Sequence, residues 1–319
     1  RLDKMVLPLK IAPMLAISAP PFDSPDYYFE LKWDGIRCLA FLTATTRLQS
    51  RSGRVISFQY PELAHLHQQI KAPDVVLDGE IIALADGKPS FFRLQSRMHT
   101  TSAAGIQEAR RTTPVLYVAF DLLYLKGESV MNRPLATRQE LLHTIVDPDP
   151  HLMVSTPIPQ AGTALFKRVA ALGLEGVVGK DMNSPYLPGK RSPYWKKARV
   201  VKNNDFVICG YTTNPQGRTD LAAILVGLYA GAELQSYGLV GTGFSQSEIN
   251  HLLTRFAGLQ RPDPPLTNPP PLTNVRWLEP RLVCAVEYFA VTPDQHLRHP
   301  CYKGLRERSP TTCRVENLS

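Results

Sequence analysis

Two uninterrupted apolar stretches, DVVLDGEIIAL (residues 74–84) and PVLYVAFDLLYL (114–125), constrain the fold more than any other feature of the chain. Both are rich in β-branched or large apolar residues and lack the strict alternation of a half-exposed strand, so each is expected to be a strand covered on both faces. A sheet buried on both sides needs further layers, and the neighbouring segments can provide them. PLATRQELLHTI puts Leu135, Leu141, Leu142 and Ile145 at helical spacing, with Arg138 the polar exception. TALFKRVAALG does the same with Leu165, Phe166, Val169 and Leu172, then reaches Gly173, a C-terminal stop. PELAHLHQQI predicts another amphipathic helix, with Pro61 in its first turn. Residues 1–200 thus read as mixed helix and strand.

Beyond YWKKARVVKNN the texture changes. DFVICGY, AAILVGLYA, ELQSYGLVGTG and RLVCAVEYFAVT are strand candidates separated by Gly, Asn and Pro turns, with AGAE closing a hairpin. One helix interrupts them: Ser245 and Glu248 form a capping box ahead of Ile249, Leu252, Leu253 and Phe256. A few strands and one helix fit a small barrel of the oligonucleotide-binding kind over residues 201–319. QRPDPPLTNPPPLTN (260–274) is expected to be a long loop within that barrel domain, because too few strands follow it to build another.

A chain of 319 residues is long enough for these two domains, and 44% hydrophobic with 20% charged residues is a globular balance. The net charge of +8 points to a polyanionic partner. Five scattered cysteines (Cys38, Cys209, Cys284, Cys301 and Cys313), with no CxxC pair, indicate a reducing compartment. No run of roughly 18 apolar residues occurs, so no membrane span is expected. The opening on Arg1 rather than Met leaves open a trimmed start and a module of a longer chain.

The chemistry centres on YYFELKWDGIRCLAF, where Lys32 stands between Glu30 and Asp34 at the edge of an apolar run. An amine attacks only when deprotonated, and at an ordinary lysine pKa of about 10.4 roughly one in a thousand is free at neutral pH. Lowering that pKa by about three units takes on the order of 4 kcal/mol of bias against the ammonium. Other segments offer cations and carboxylates at strand ends: Arg51 in SRSGRVIS, Asp78 and Glu80 on one face of LDGE, Glu175 and Lys180 in LEGVVGK, and Lys196, Lys197 and Arg199 in YWKKAR. Guanidinium and ammonium groups suit the phosphates of a nucleoside triphosphate, and carboxylates suit a divalent metal. GLEGVVGKD is not a P-loop, because Leu174 stands where its first glycine belongs and Asp181 replaces the Ser or Thr. HLRHPC gathers His296, His299 and Cys301 without a second ligand pair, and Trp277, Tyr288 and Phe289 are expected in the core rather than against bases.

The order KxDGxR (32–37), SRxG (50–53), LDGE (77–80), FDLLYL (120–125), EGVVxK (175–180) and WxKxR (195–199) resembles the covalent nucleotidyltransferase superfamily. Within it the chain is similar to ATP-dependent DNA ligases, above all the bacterial ligase D and ligase C end-joining group. FFRLQSRMH, SPYLPGKRSPYW, GLVGTGFS and LRHPCYKGLRE extend the likeness beyond the catalytic motifs. The resemblance implies an α+β fold: a nucleotidyltransferase (adenylation) domain of antiparallel sheets with flanking helices over residues 1–200, then an OB-fold β-barrel over 201–319. It makes Lys32 the nucleophile that carries AMP from ATP, and places Glu30 by the adenine amine, Arg37 and Arg51 by ribose and phosphate, and Glu80 by the ribose hydroxyl. Phe120 stacks on the base, Lys197 and Arg199 grip the α-phosphate, and Glu175 with Glu80 binds Mg²⁺ or Mn²⁺. The neighbouring Lys196 offers an alternative register for that phosphate pair.

Two departures stand out. Arg199 occupies a position where the family often has lysine, and the family's C-terminal RxDK pattern reads Arg306, Glu307, Arg308, Ser309. In the family that segment orients the leaving pyrophosphate; here Arg308 is the cation available to take the place of the missing lysine. The resemblance further implies a monomeric enzyme of the bacterial cytoplasm acting on nicked double-stranded DNA, with a Ku-like end-binding protein and a primase-polymerase as partners. An RNA ligase or capping-type enzyme would use the same lysine, and a basic nucleic-acid-binding module that has lost turnover is the reading of another class.

Overall fold

The structure, a computed structural model, describes residues 7–214 and 221–318. The chain divides into two compact units, Arg1–Val200 and Val201–Ser319. The outermost residues of the two expected domains, 1–6 and 319, lie outside the described residues, as do 215–220 within the second.

In the first unit the two doubly covered runs are neighbours. Val75–Ala85 pairs antiparallel with Ile36–Leu42 on one side and Val115–Leu125 on the other, and Thr46–Ser50 follows at the edge. Side chains alternate between two cores. Cys38, Ala40, Leu42 and Leu77 point to a core that holds Leu94, Leu142 and Ile145 from helices Phe91–Met98 and Leu135–Ile145. Leu39, Phe41 and Val76 point the other way, into a core shared with Trp195 and Val178 of a second sheet. That second sheet runs Leu15–Ser18, Arg191–Arg199, Gly176–Asp181, Ser24–Leu31, Ile158–Gln160. Its far face packs Phe29 and Val177 on Val169 of helix Gly162–Ala171, and Gly173 beyond that helix has φ +70°. The layers are therefore helices, sheet, sheet, helix, with the functional residues between the sheets.

The helix expected over 61–70 is not formed. Pro61–Leu63 and Leu66–Gln69 are two short 3₁₀ segments, with Pro61 at the start of the first. Tertiary contacts set this shape: Leu63 and Leu66 are both fully buried, and Glu62 is drawn inward to the guanidinium of Arg97 at 2.7 and 3.0 Å.

In the second unit Lys202–Thr213 is the organising strand. One edge pairs with Leu221–Ala230; the other pairs first with Val283–Tyr288 and then with Val275–Leu278, with a register shift between Ile208 and Gly210 where the strand bends. Glu233–Val240 and Cys301–Arg306 extend the sheet. This is the OB-type barrel. The capping box is half realised: Ser245 Oγ accepts the Glu248 N–H at 3.1 Å, but the Glu248 carboxylate instead accepts from Tyr302 Oη at 2.6 Å. Helix Gln246–Phe256 buries Leu252 and Phe256, with Tyr211 stacked on Phe256 at 5.1 Å. The proline-rich stretch connects Gln260–Arg261 to Val275–Leu278 within this unit. Tyr288 is buried, and Trp277 packs against the barrel core. No helix among the described residues is long and apolar enough to cross a membrane.

Candidate active site

Strand periodicity on the second sheet explains how so many charges meet. Val178 pairs with Glu30 and Lys197, Lys180 with Trp195, and Gly176 with Arg199. Because side chains two apart share a face, Glu30, Lys32, Val178, Lys180, Trp195, Lys197 and Arg199 all look toward the first sheet. Lys196 looks the other way, its ammonium 5.2 Å from the rings of both Phe22 and Tyr27. The alternation thus puts Lys197, and not Lys196, on the cleft side of the strand. Opposite, Arg37 pairs with Glu80, and Phe120 comes from Val115–Leu125. Lys32, Glu30, Arg37, Arg51, Glu80, Phe120, Lys197 and Arg199 line a single cleft. Glu175 reaches the same place through Lys32.

Lys32 stands just past the end of Ser24–Leu31, where its backbone N–H still bonds Gly176 O at 2.9 Å. Its ammonium donates to Glu175 Oε1 at 2.6 Å, and Arg199 Nε lies 3.9 Å from the same oxygen. Lys197 in this cleft is depressed: burial, reinforced by Arg199, Lys32, Arg191 and Arg51, lowers it to about 8. Glu80 is pushed up to about 8 by burial, with Glu175 and Asp78 adding to the rise against the pull of Arg37 and Lys32. Glu175 is raised by burial and by Asp34, again against Lys32. Glu80 is raised in part by the Glu175 charge, a repulsion that a hard divalent cation relieves, and an all-oxygen donor pair suits Mg²⁺ or Mn²⁺.

At the other end of the cleft Glu30 accepts from Lys180 Nζ at 2.8 Å, both side chains nearly inaccessible. Burial pushes the Glu30 carboxyl up despite that partner. The Lys180 ammonium also lies 4.3 and 4.5 Å from the ring centroids of Phe120 and Trp195. Gln139 Nε2 donates to the Phe120 carbonyl at 2.6 Å and reaches Glu30 Oε1 at 3.4 Å, tying the two residues expected to meet the base. Trp195 Nε1, buried at the cleft wall, has no hydrogen-bond partner among the described residues. Lys180 and Trp195 belong to recognisable sequence patterns; Gln139 and Arg191 carry no signal beyond their chemistry.

Arg308, the cation available at the altered C-terminal pattern, is committed elsewhere. It donates to Asp205 Oδ2 at 2.7 Å within the second unit.

Residues 13–199 match the family described as ATP dependent DNA ligase domain, and 217–309 match the ATP dependent DNA ligase C terminal region. The chain is 33% identical over 312 residues to the multifunctional non-homologous end joining protein LigD of Mycolicibacterium smegmatis, covering 95% of this chain and 39% of that protein. It therefore spans about two fifths of that relative's length. To DNA ligase C1 of the same organism it is 31% identical over 339 residues, covering 98% of this chain and 96% of the other. A solved structure of mycobacterial DNA ligase D complexed with ATP and MES shares 32% identity and a TM-score of 0.55, covering 95% of this chain and 97% of that one. The chain belongs to the ATP-dependent DNA ligase family.

Proposed function

We propose that this chain seals nicks in double-stranded DNA, in repair or end joining, by carrying AMP on Lys32. The observation that carries this reading is the placement of Lys32 at the junction of a carboxylate and a ring of cations: Glu175 at 2.6 Å, with Lys197, Arg199, Arg51 and Arg37 lining the same cleft. The relative complexed with ATP supports the nucleotide, and the end-joining relatives support the DNA context. A Ku-like protein and a primase-polymerase are the partners that this context proposes.

Three in-line transfers at phosphorus follow. Lys32 Nζ forms a bond to the α-phosphorus of ATP as the bond to the pyrophosphate oxygen breaks; the departing lysine proton has Glu175 Oε1 as its nearest acceptor. AMP then passes to the 5′-phosphate of the nick, and the 3′-hydroxyl displaces AMP to close the strand. Covalent catalysis divides one difficult joining into easier steps. Lys197 and Arg199 hold the α-phosphate, Arg37 and Arg51 the ribose and phosphate side, and Phe120 stacks on the base near Glu30, where the Trp195 N–H offers a further donor. Glu80 and Glu175 would hold a divalent ion, which supplies charge neutralisation at phosphate oxygens. Cations already in place around the site stabilise developing charge without reorganisation. The mass of the purified protein with and without ATP and Mg²⁺ tests the reading: one added AMP mapped to Lys32 supports it, and none under any metal condition overturns it. Labelled GTP in place of ATP, and nicked RNA in place of DNA, separate the capping and RNA-ligase chemistries.

Lys197 gives the cleft a pH signature. Near pH 8 its ammonium begins to lose its proton in the free protein, while a bound phosphate favours the charged form. Binding ATP then takes up a proton, so ATP affinity falls as pH rises through about 8. The ATP concentration giving half-maximal enzyme-AMP formation should rise between about pH 7 and 9 and flatten in Lys197→Arg. A profile identical in that variant contradicts the assignment.

Arg308 is paired with Asp205 at 2.7 Å, and Ser309 stands where the family's lysine would be. Ser309→Lys is expected to accelerate enzyme-AMP formation severalfold and sealing of pre-adenylated DNA much less. Unchanged rates in both assays count against a role for this segment in the first step.

A further inference from the structure

Behind the cleft, a closed ring of hydrogen bonds passes through a side chain with no role in the reading above. The Met14 N–H donates to Tyr186 Oη at 2.9 Å, and Tyr186 Oη donates to Asp78 Oδ2 at 2.6 Å. Asp78 accepts Arg37 Nε and Nη2 at 2.7 Å each, and Arg37 Nη2 returns to the Met14 carbonyl at 2.9 Å. Tyr186 is 1% exposed and Asp78 0%; of the three side chains only Arg37 reaches the cleft wall.

The geometry points to Tyr186 as a positioning residue for the nucleotide: its hydroxyl pins Asp78, and Asp78 fixes the plane of the Arg37 guanidinium where ATP is bound. The inference rests on the ligase reading, in which Arg37 meets ribose and phosphate. A buried carboxylate accepting a bidentate guanidinium defines that group's orientation only if the carboxylate is itself held. Tyr186 holds it from behind, and the Met14 N–H in turn holds the Tyr186 hydroxyl. In front, the guanidinium carbon lies 5.0 Å from the Phe120 ring and 5.5 Å from that of Trp195, so a tilt of Arg37 would disturb these two aromatics as well. The Tyr186 ring meets Trp195 edge-on at 5.7 Å, which anchors the phenol independently of its hydroxyl. Burial and the Asp78 charge push the phenol well above its ordinary range, so it stays a donor at every working pH.

Tyr186→Phe removes the hydroxyl and keeps the ring contact. The ATP concentration for half-maximal enzyme-AMP formation is expected to rise about tenfold while the maximal rate stays within about threefold, as for loss of a hydrogen bond to a charged group. Arg37→Lys should raise it similarly, and adding Tyr186→Phe to Arg37→Lys should add little, because the phenol acts through Arg37. If Tyr186→Phe fails to fold, Asp78→Asn breaks the same relay at its middle and is expected to give the same rise. An unchanged ATP requirement in a folded Tyr186→Phe or Asp78→Asn protein overturns the proposal, as does an independent, additive loss in the double variant. Absence of enzyme-AMP in the wild-type protein would instead overturn the ligase reading, so the two failures are distinguishable.

Discussion

Lys32→Ala is expected to eliminate enzyme-AMP, lowering self-adenylation by at least about 10⁴-fold, the scale on which an enzyme loses rate when its nucleophile is removed. No neighbour can replace it. Lys180 is tied to Glu30 at 2.8 Å under two aromatic rings, and Lys196 lies on the far face of its sheet. Lys197 is lowered to about 8, yet its strand places it among the cations proposed to hold the phosphate, and a residue that binds the phosphate is badly placed to attack it in line. Sealing of an ordinary nick should vanish with the intermediate. Sealing of a nick that already carries AMP on its 5′-phosphate should survive in part, because that step draws on the cations and not on the amine. DNA binding should change little: one cation lost lowers the salt slope of affinity by about 1 at most. Enzyme-AMP detected at normal rate in the variant, by labelled ATP and peptide mapping, removes the central assignment.

The sequence made much of this site legible, because the site is built from strands. Alternation along YWKKAR and LEGVVGK decides which side chains share a face, and the doubly apolar runs require a layer on each side of the central sheet. The residues that sequence reasoning missed act through tertiary contacts. Arg138, read as a polar exception on an apolar helix, is fully buried against Asp121. Tyr186 lies within a recognisable stretch, but no spacing rule links it to Asp78 at a separation of 108 residues. The 61–70 segment failed as a helix for the same reason: its local pattern is helical, and Glu62 answers instead to Arg97. The partner of Lys32 is likewise tertiary: Glu175, 143 residues away, accepts its ammonium at 2.6 Å.

Arg138→Met is expected to cost about 3–5 kcal/mol of stability, among the largest effects available outside the chemistry, because it leaves a carboxylate buried without its cation. Arg138 Nε and Nη2 meet the two oxygens of Asp121 at 2.8 and 3.1 Å, and both side chains are 0% exposed. Nη1 spans the Arg133 and Ser184 carbonyls at 2.6 and 2.9 Å, so one guanidinium joins helix Leu135–Ile145, strand Val115–Leu125 and the loop that leads to Tyr186. Asp121 would keep the Leu122 N–H, at 2.8 Å, as its one donor among the described contacts, too little to offset a buried charge. The midpoint of the thermal transition of the first unit should fall by roughly 10 °C. The double variant Arg138→Met with Asp121→Leu should be less destabilised than Arg138→Met alone, since removing both charges also removes their desolvation cost. Phe120 precedes Asp121 in the strand, so slackening this clamp should also weaken ATP binding in whatever protein remains folded. A single variant within about 1 kcal/mol of wild type would mean that water reaches Asp121, and that the clamp does not hold the wall that carries Phe120.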